Sequence, residues 1–182
     1  MTEEDILELI RSDHWMMEVL SLVEKCALPD WFVGAGFVRG KVWDHLSGYE
    51  KRTPLSDIDV AYFDSSDKIQ AKEVEKDLSK NMSGFEWEVV NQAIMHPYNN
   101  FPPFTSSKDA LAHWVETATC VGVRLEKGAL HLLAPYGISD LANMIVRPTP
   151  YFFDKMDIFK ERQMRKRWKE KWPVLVVTEE EI

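Results

Sequence analysis

The run Asp57-Ile58-Asp59-Val60-Ala61-Tyr62-Phe63-Asp64 constrains the fold more than any other part of the chain. Residues two apart on a strand share a face. A strand over residues 57–63 therefore sends the Asp57 and Asp59 carboxylates to one side and Ile58 and Val60 to the other. Two carboxylates held side by side repel, and a cation between them removes that cost. Upstream, the short apolar run Trp31-Phe32-Val33 ends in Gly34-Ala35-Gly36, and residues 37–46 follow with Val38, Val42 and Leu46 at four-residue steps. That pattern predicts a strand, a tight turn and a helix with one apolar stripe.

Backbone N–H groups at such a turn donate to phosphate. Mg²⁺ (or Mn²⁺) takes one or two carboxylates together with phosphate oxygens. The two features point to a nucleoside triphosphate carried with a divalent metal, and hence to nucleotidyl transfer. Gly34, Ala35 and Gly36 are the expected phosphate cradle; Asp57 and Asp59 are the expected metal ligands and catalytic carboxylates. Arg39, just past the turn, has a planar guanidinium that matches triphosphate or ribose oxygens. A surface ion pair is its other reading.

These residues resemble the signature of the nucleotidyltransferase (DNA polymerase β-like) superfamily, in which a glycine-rich turn precedes a hydrophobic-Asp-hydrophobic-Asp/Glu strand. They are especially similar to the head domain of tRNA CCA-adding enzymes. Aligned on Val38-Arg39, that domain's glycine pair falls on Ala35 and Gly36, so only one glycine is matched. The motifs in residues 35–39, 57–64, 87–96, 116–124 and 134–141 resemble a family of small bacterial nucleotidyltransferase-like proteins over nearly the whole chain. The resemblance implies an α/β (α+β) fold with a mixed sheet of about five strands flanked by helices. It also implies transfer of a nucleoside monophosphate from an NTP, such as ATP, to a hydroxyl. A third catalytic carboxylate is expected on a strand after the Asp pair. Glu88, in a strand over residues 85–93, is the candidate; Glu86 shares its face and competes. The acceptor stays open between a small molecule, a protein and RNA.

At 182 residues, 45% of them hydrophobic, the chain is long enough for one domain with a sizeable core. Its expected parts are a helical segment over residues 1–30, a catalytic core over 31–146, and a basic helix and tail over 147–182. The net charge of −8 argues against strong duplex DNA binding, which phosphate neutralisation drives. Cys26 and Cys120 match no metal spacing and fit a reducing, cytoplasmic setting. Acids interrupt the N-terminal apolar residues, so neither a signal peptide nor a membrane span is expected.

Elsewhere, Thr2 and Asp5 predict a capping box, and Asp13 is either a second N-cap or an exposed turn. Pro29 is expected to stop the helix before it. The loop over residues 48–56 suits a mobile lip, with Lys51 and Arg52 solvated or reaching phosphate. Residues 68–80 predict a charged helix. Asn91, Gln92 and His96 bind base or acceptor, or hydrogen-bond within the core. Residues 117–125 and 129–134 predict a hairpin around Gly128. Residues 154–171 predict one helix with an apolar side of Phe159, Met164 and Trp168 and a basic cluster of Lys160, Arg162, Arg165, Lys166, Arg167, Lys169 and Lys171. That cluster keeps an RNA-binding accessory protein as one alternative; a catalytically inactive nucleotide-binding regulator is another, favoured if no third carboxylate lies near Asp57 and Asp59.

Overall fold

A computed structural model of the chain describes residues 1–180. Thr2 and Asp5 form the capping box, with the Thr2 N–H on Asp5 Oδ2 at 2.7 Å and the Asp5 N–H on Thr2 Oγ1 at 3.2 Å, and open α1, Glu3–Arg11. Asp13 is a true N-cap: its carboxylate accepts the Met16 N–H at 3.2 Å and starts α2, His14–Lys25. That helix ends at Cys26, so Pro29 is not what stops it. Strand β1 (Phe32–Gly34) runs into α3 (Gly36–Leu46), then β2 (Asp57–Tyr62), α4 (Ala71–Asn81) and β3 (Glu86–Asn91). Helix α4 begins at Ala71 rather than at residue 68 because Asp64 gathers the Ser66 and Lys68 N–H groups into a turn, at 2.9 and 3.1 Å.

After α5 (Ser107–Ala112) come β4 (Gly122–Glu126) and β5 (Ala129–Leu133). Their hairpin turns on Lys127 and Gly128, both at positive φ (50° and 83°), as a two-residue turn between twisted strands requires. The strand expected from residue 117 begins only at Gly122, because Thr117–Thr119 is a 3-10 turn whose following N–H groups return to the Glu116 carbonyl. The chain closes with α6 (Ser139–Ala142), β6 (Ile145–Val146), α7 (Met156–Lys166), α8 (Trp168–Lys171) and β7 (Val176–Val177).

The five-stranded sheet has the order β3-β2-β1-β4-β5. β2 and β3 are parallel, joined through the α4 crossover, and the other pairs are antiparallel. This is the mixed sheet flanked by helices that the sequence implies. Its two faces are unequal. Val33, Ile58, Val60, Tyr62, Trp87 and Val89 join the main core beneath the N-terminal helices. The other face holds a small cluster of Phe32, Ala61, Leu111 and Cys120. Asp57 and Asp59 share the second face with Ala61 by period two, so the carboxylates lie where the sheet is least covered.

The single helix expected over residues 154–171 is three pieces. A 3-10 turn over Pro150–Lys155 leads into α7, and Arg167, at φ 50°, separates α7 from α8. At 3.6 residues per turn, an unbroken helix would point Trp168 away from the side that Phe159 buries. The left-handed residue turns α8 so that Trp168 and Trp172 meet Trp43 edge-on, at 5.6 and 5.1 Å. Phe159 and Trp168 are buried as expected, whereas Met164 is 72% exposed. No helix among the described residues is long and apolar enough to cross a membrane.

Candidate active site

The parallel register places Asp59 beside Glu88 and Asp57 beside Glu86. One carboxylate oxygen from each of Asp57, Asp59 and Glu88 lies within 4.8 Å of the others. Glu88 therefore joins the aspartates, and the exposed Glu86 stands outside the group. Burial, then the charges of Asp57 and Glu88, push the Asp59 carboxyl up to about 7. Three hard oxygen donors crowded enough to hold a proton near neutrality are a set that a divalent cation such as Mg²⁺ relieves.

The turn before α3 faces these acids. Ala35 takes φ 49° and ψ −122°, and no side chain caps the helix, so its first N–H groups are left for a ligand. Ala35 and Gly36 line the cleft in front of the carboxylates. A Cβ on Gly36 would come 2.8 Å from Leu55 Cδ1. Gly34 does not line this cleft: a Cβ there would meet the Phe32 ring at 2.8 Å and Trp114 at 3.2 Å, so its lack of a side chain serves packing.

Arg39 is 7% exposed, which removes its reading as a surface ion pair. Its Nη1 donates to Thr119 Oγ1 at 3.1 Å, its guanidinium lies 4.2 Å from the Trp168 ring, and its Nε has no partner among the described residues. Burial lowers its pKa to about 10, so it remains a cation at neutral pH. It is a buried cation with a donor to spare, on the wall of the cleft.

The cleft has a volume of about 380 Å³. Arg39, Lys41, Arg52, Arg162, Lys166 and Lys171 line it together with the three carboxylates. Asp13, the cap of α2, holds Arg52 and Lys41 at 2.6 and 2.8 Å, and Arg52 lies 3.7 Å over Trp15. The loop over residues 48–56 is pinned rather than a free lip. The Thr53 N–H donates to Asp44 at 2.8 Å, and the Tyr49 hydroxyl to the Lys171 carbonyl at 2.8 Å. Asp44 also accepts Trp172 Nε1 at 2.8 Å, which ties loop, α3 and the C-terminal segment together.

Glu116 falls in one of the motifs above, but its structural role was not readable from the sequence. It is fully buried and accepts Arg162 Nε at 2.8 and 3.1 Å and Gln163 Nε2 at 3.0 Å, which docks α7 with Arg162 and Lys166 toward the cleft. The signal was an acid opening an otherwise uncharged run, Glu116-Thr117-Ala118-Thr119, with a basic helix downstream. Arg124, on β4, is ion-paired with Asp30 at 3.7 Å and Glu126 at 3.4 Å. Asn91 braces the turn after β2 through Asp64 and Asp67, and His96 Nδ1 pairs with the Ala93 carbonyl.

Strand carboxylates, an uncapped helix start and a cationic cleft thus converge at the end of a mixed sheet. The model of a family described as nucleotidyltransferase matches residues 21–177, and the chain belongs to that family. It is 34% identical to a protein whose NMR structure reveals a CCA-adding enzyme head domain, with a TM-score of 0.86 over 98% of this chain and 97% of that one. More distant likeness, of fold alone, links it to larger enzymes. One is a CCA-adding enzyme in complex with CTP, at 17% identity and TM-score 0.59, where 96% of this chain covers 43% of that one. Another is the Thermotoga maritima CCA-adding enzyme complexed with tRNA, at 16% identity and TM-score 0.58, where 96% of this chain covers 42% of that one. No curated protein matches the chain.

Proposed function

We propose that the chain is a divalent-metal-dependent nucleotidyltransferase that moves a nucleoside monophosphate from an NTP to a hydroxyl acceptor. The observation that carries this is the gathering of Asp57, Asp59 and Glu88 at one end of a cleft lined by six cationic side chains. Asp57 and Asp59 are the residues that would hold Mg²⁺ or Mn²⁺, which when bound neutralises charge on the phosphate oxygens. The start of α3 at Ala35 and Gly36 donates N–H groups to the phosphates. Arg39 offers its unpartnered Nε, and Lys166 and Arg162 add charge from α7. Glu88, the exposed member of the trio, takes the proton of the attacking hydroxyl. Positioning and charge neutralisation do most of the work in such a transfer.

An inert nucleotide-binding regulator would have no need of a third acid. Glu88 beside the aspartate pair weighs against that alternative. The relative solved with CTP supports an NTP as partner. The test is an electron paramagnetic resonance titration of Mn²⁺ with ATP. The free Mn²⁺ signal should fall on adding the wild type and not on adding Asp57→Asn/Asp59→Asn. An undiminished signal with a folded wild type would overturn the metal assignment.

A further inference from the structure

A second cavity, of about 210 Å³, opens on two of these carboxylates, Asp59 and Glu88. Asp59, Glu88, His113 and Trp114 line both spaces, so the two meet at the acids. This one lies over the thinly covered face of the sheet, against Val90 and Ala61. Its chemistry is unlike that of the cleft. No Arg or Lys lines it, whereas six line the cleft. Tyr98, Phe101, Phe104 and Trp114 supply flat apolar walls instead. His113 fixes two of these rings, with centroids 4.9 Å from Phe101 and 4.8 Å from Phe104, and itself stacks on Tyr151 at 3.7 Å.

Gln92 also lines this cavity. It is only 6% exposed, and its carboxamide makes no hydrogen bond among the described residues. Its amide atoms are not sealed off from solvent, so they are open to a ligand in the cavity. Its adjacent C=O and N–H₂ match the acceptor-donor edge of a heterocycle.

We propose that this cavity is the acceptor subsite, and that the acceptor is a free, uncharged planar heterocycle carrying a hydroxyl, of nucleoside size. The inference rests on the nucleotidyltransferase reading above. The ring lies among the aromatic side chains, Gln92 reads its edge, and its hydroxyl sits beside Glu88. A phosphate on the acceptor would meet two carboxylates here, and Lys155, behind the Phe101 and Asn99 walls, is held by that ring and the Asn99 carbonyl, so the cavity selects a neutral group while the triphosphate keeps to the cleft. At about 210 Å³, the space falls below the ~300 Å³ at which sites for drug-sized ligands begin, which suits one ring system. In the step itself, the hydroxyl oxygen bonds to the α-phosphorus and its proton passes to Glu88. The bond from that phosphorus to the bridging oxygen breaks, and pyrophosphate leaves with the electron pair.

Calorimetry tests this with the full chain saturated in Mg²⁺ and α,β-methylene-ATP, so that the cleft is filled. Adenosine, guanosine, cytidine and uridine are titrated in turn. At least one should bind, and Gln92→Met should weaken it by about tenfold or more. A parallel titration of the ATP analogue into Gln92→Met shows that the variant is folded and that the cleft still works. Binding of the analogue but of none of the four nucleosides would overturn the acceptor subsite, as would nucleoside binding indifferent to Gln92→Met. Binding only of a short oligoribonucleotide ending in the same nucleoside would overturn the free acceptor in favour of an RNA end. Failure of the analogue itself to bind wild type would instead bring down the nucleotidyl-transfer reading, and this inference with it.

Discussion

Ala35 holds a backbone conformation, φ 49° and ψ −122°, that a Cβ opposes. It stands where the resembled head domain has the first of two glycines. Ala35→Gly should therefore stabilise the protein by about 1 kcal/mol, read as a higher denaturant midpoint with an unchanged slope. An unchanged or lower midpoint would show that the turn carries no strain. Asp13 gives a pH dependence. Burial alone would raise its carboxyl, but the bonds from Lys41, the Met16 N–H and Arg52 outweigh it and hold the pKa below 3.8. Its contribution is thus fully present above the unfolded value and fades as pH falls through the lower folded one. Acid unfolding followed by circular dichroism should show Asp13→Asn less stable than wild type at neutral pH, with the gap closing below about pH 3.8. A gap that persisted at low pH would contradict the ion-pair account. What was legible at this scale was local: the shared face of Asp57 and Asp59 follows from period two, whereas Glu88 as third acid follows from the family resemblance, since period two alone does not separate it from Glu86. The burial of Arg39 and the pairing of Glu116 with Arg162 were not, because each depends on a partner far along the chain.

Among the elements, the centre of the sheet depends on two missing side chains. Gly34 and Gly122 are register partners on β1 and β4, and the Phe32 ring lies over both. A Cβ on Gly122 would sit 2.4 Å from Phe32 Cδ2 and 2.9 Å from its Cγ, and Phe32 is fully buried with no room to retreat. Gly122→Ala should cost about 1–3 kcal/mol, checked by thermal denaturation. A neutral result would mean that Phe32 can shift freely. Strands and most helices were readable from their apolar spacing, and the hairpin from its glycine. The break at Arg167 was not, because residues 154–171 carry no Gly or Pro to punctuate them. Tertiary demand from Trp43 and Asp44 on the two tryptophans makes that bend, and propensity alone gives no hint of it.

Across the whole molecule, the chain is acidic by eight charges and yet concentrates six cations around three carboxylates in one cleft. Overall charge argues against a duplex-binding surface but says nothing of where the cations gather. That arrangement needs α7 docked by Glu116, the 48–56 loop pinned by Asp44 and Arg52 held by Asp13, so the cleft is a product of the entire fold rather than of its motifs. The most direct test of the account is calorimetric titration of ATP, GTP, CTP and UTP, with and without Mg²⁺, into wild type and Asp57→Asn/Asp59→Asn. Mg²⁺-dependent binding of at least one nucleotide, weakened by about tenfold or more in the double variant, is the predicted result. No nucleotide binding by a folded wild type, or Mg²⁺-dependent binding equal in both proteins, would contradict it.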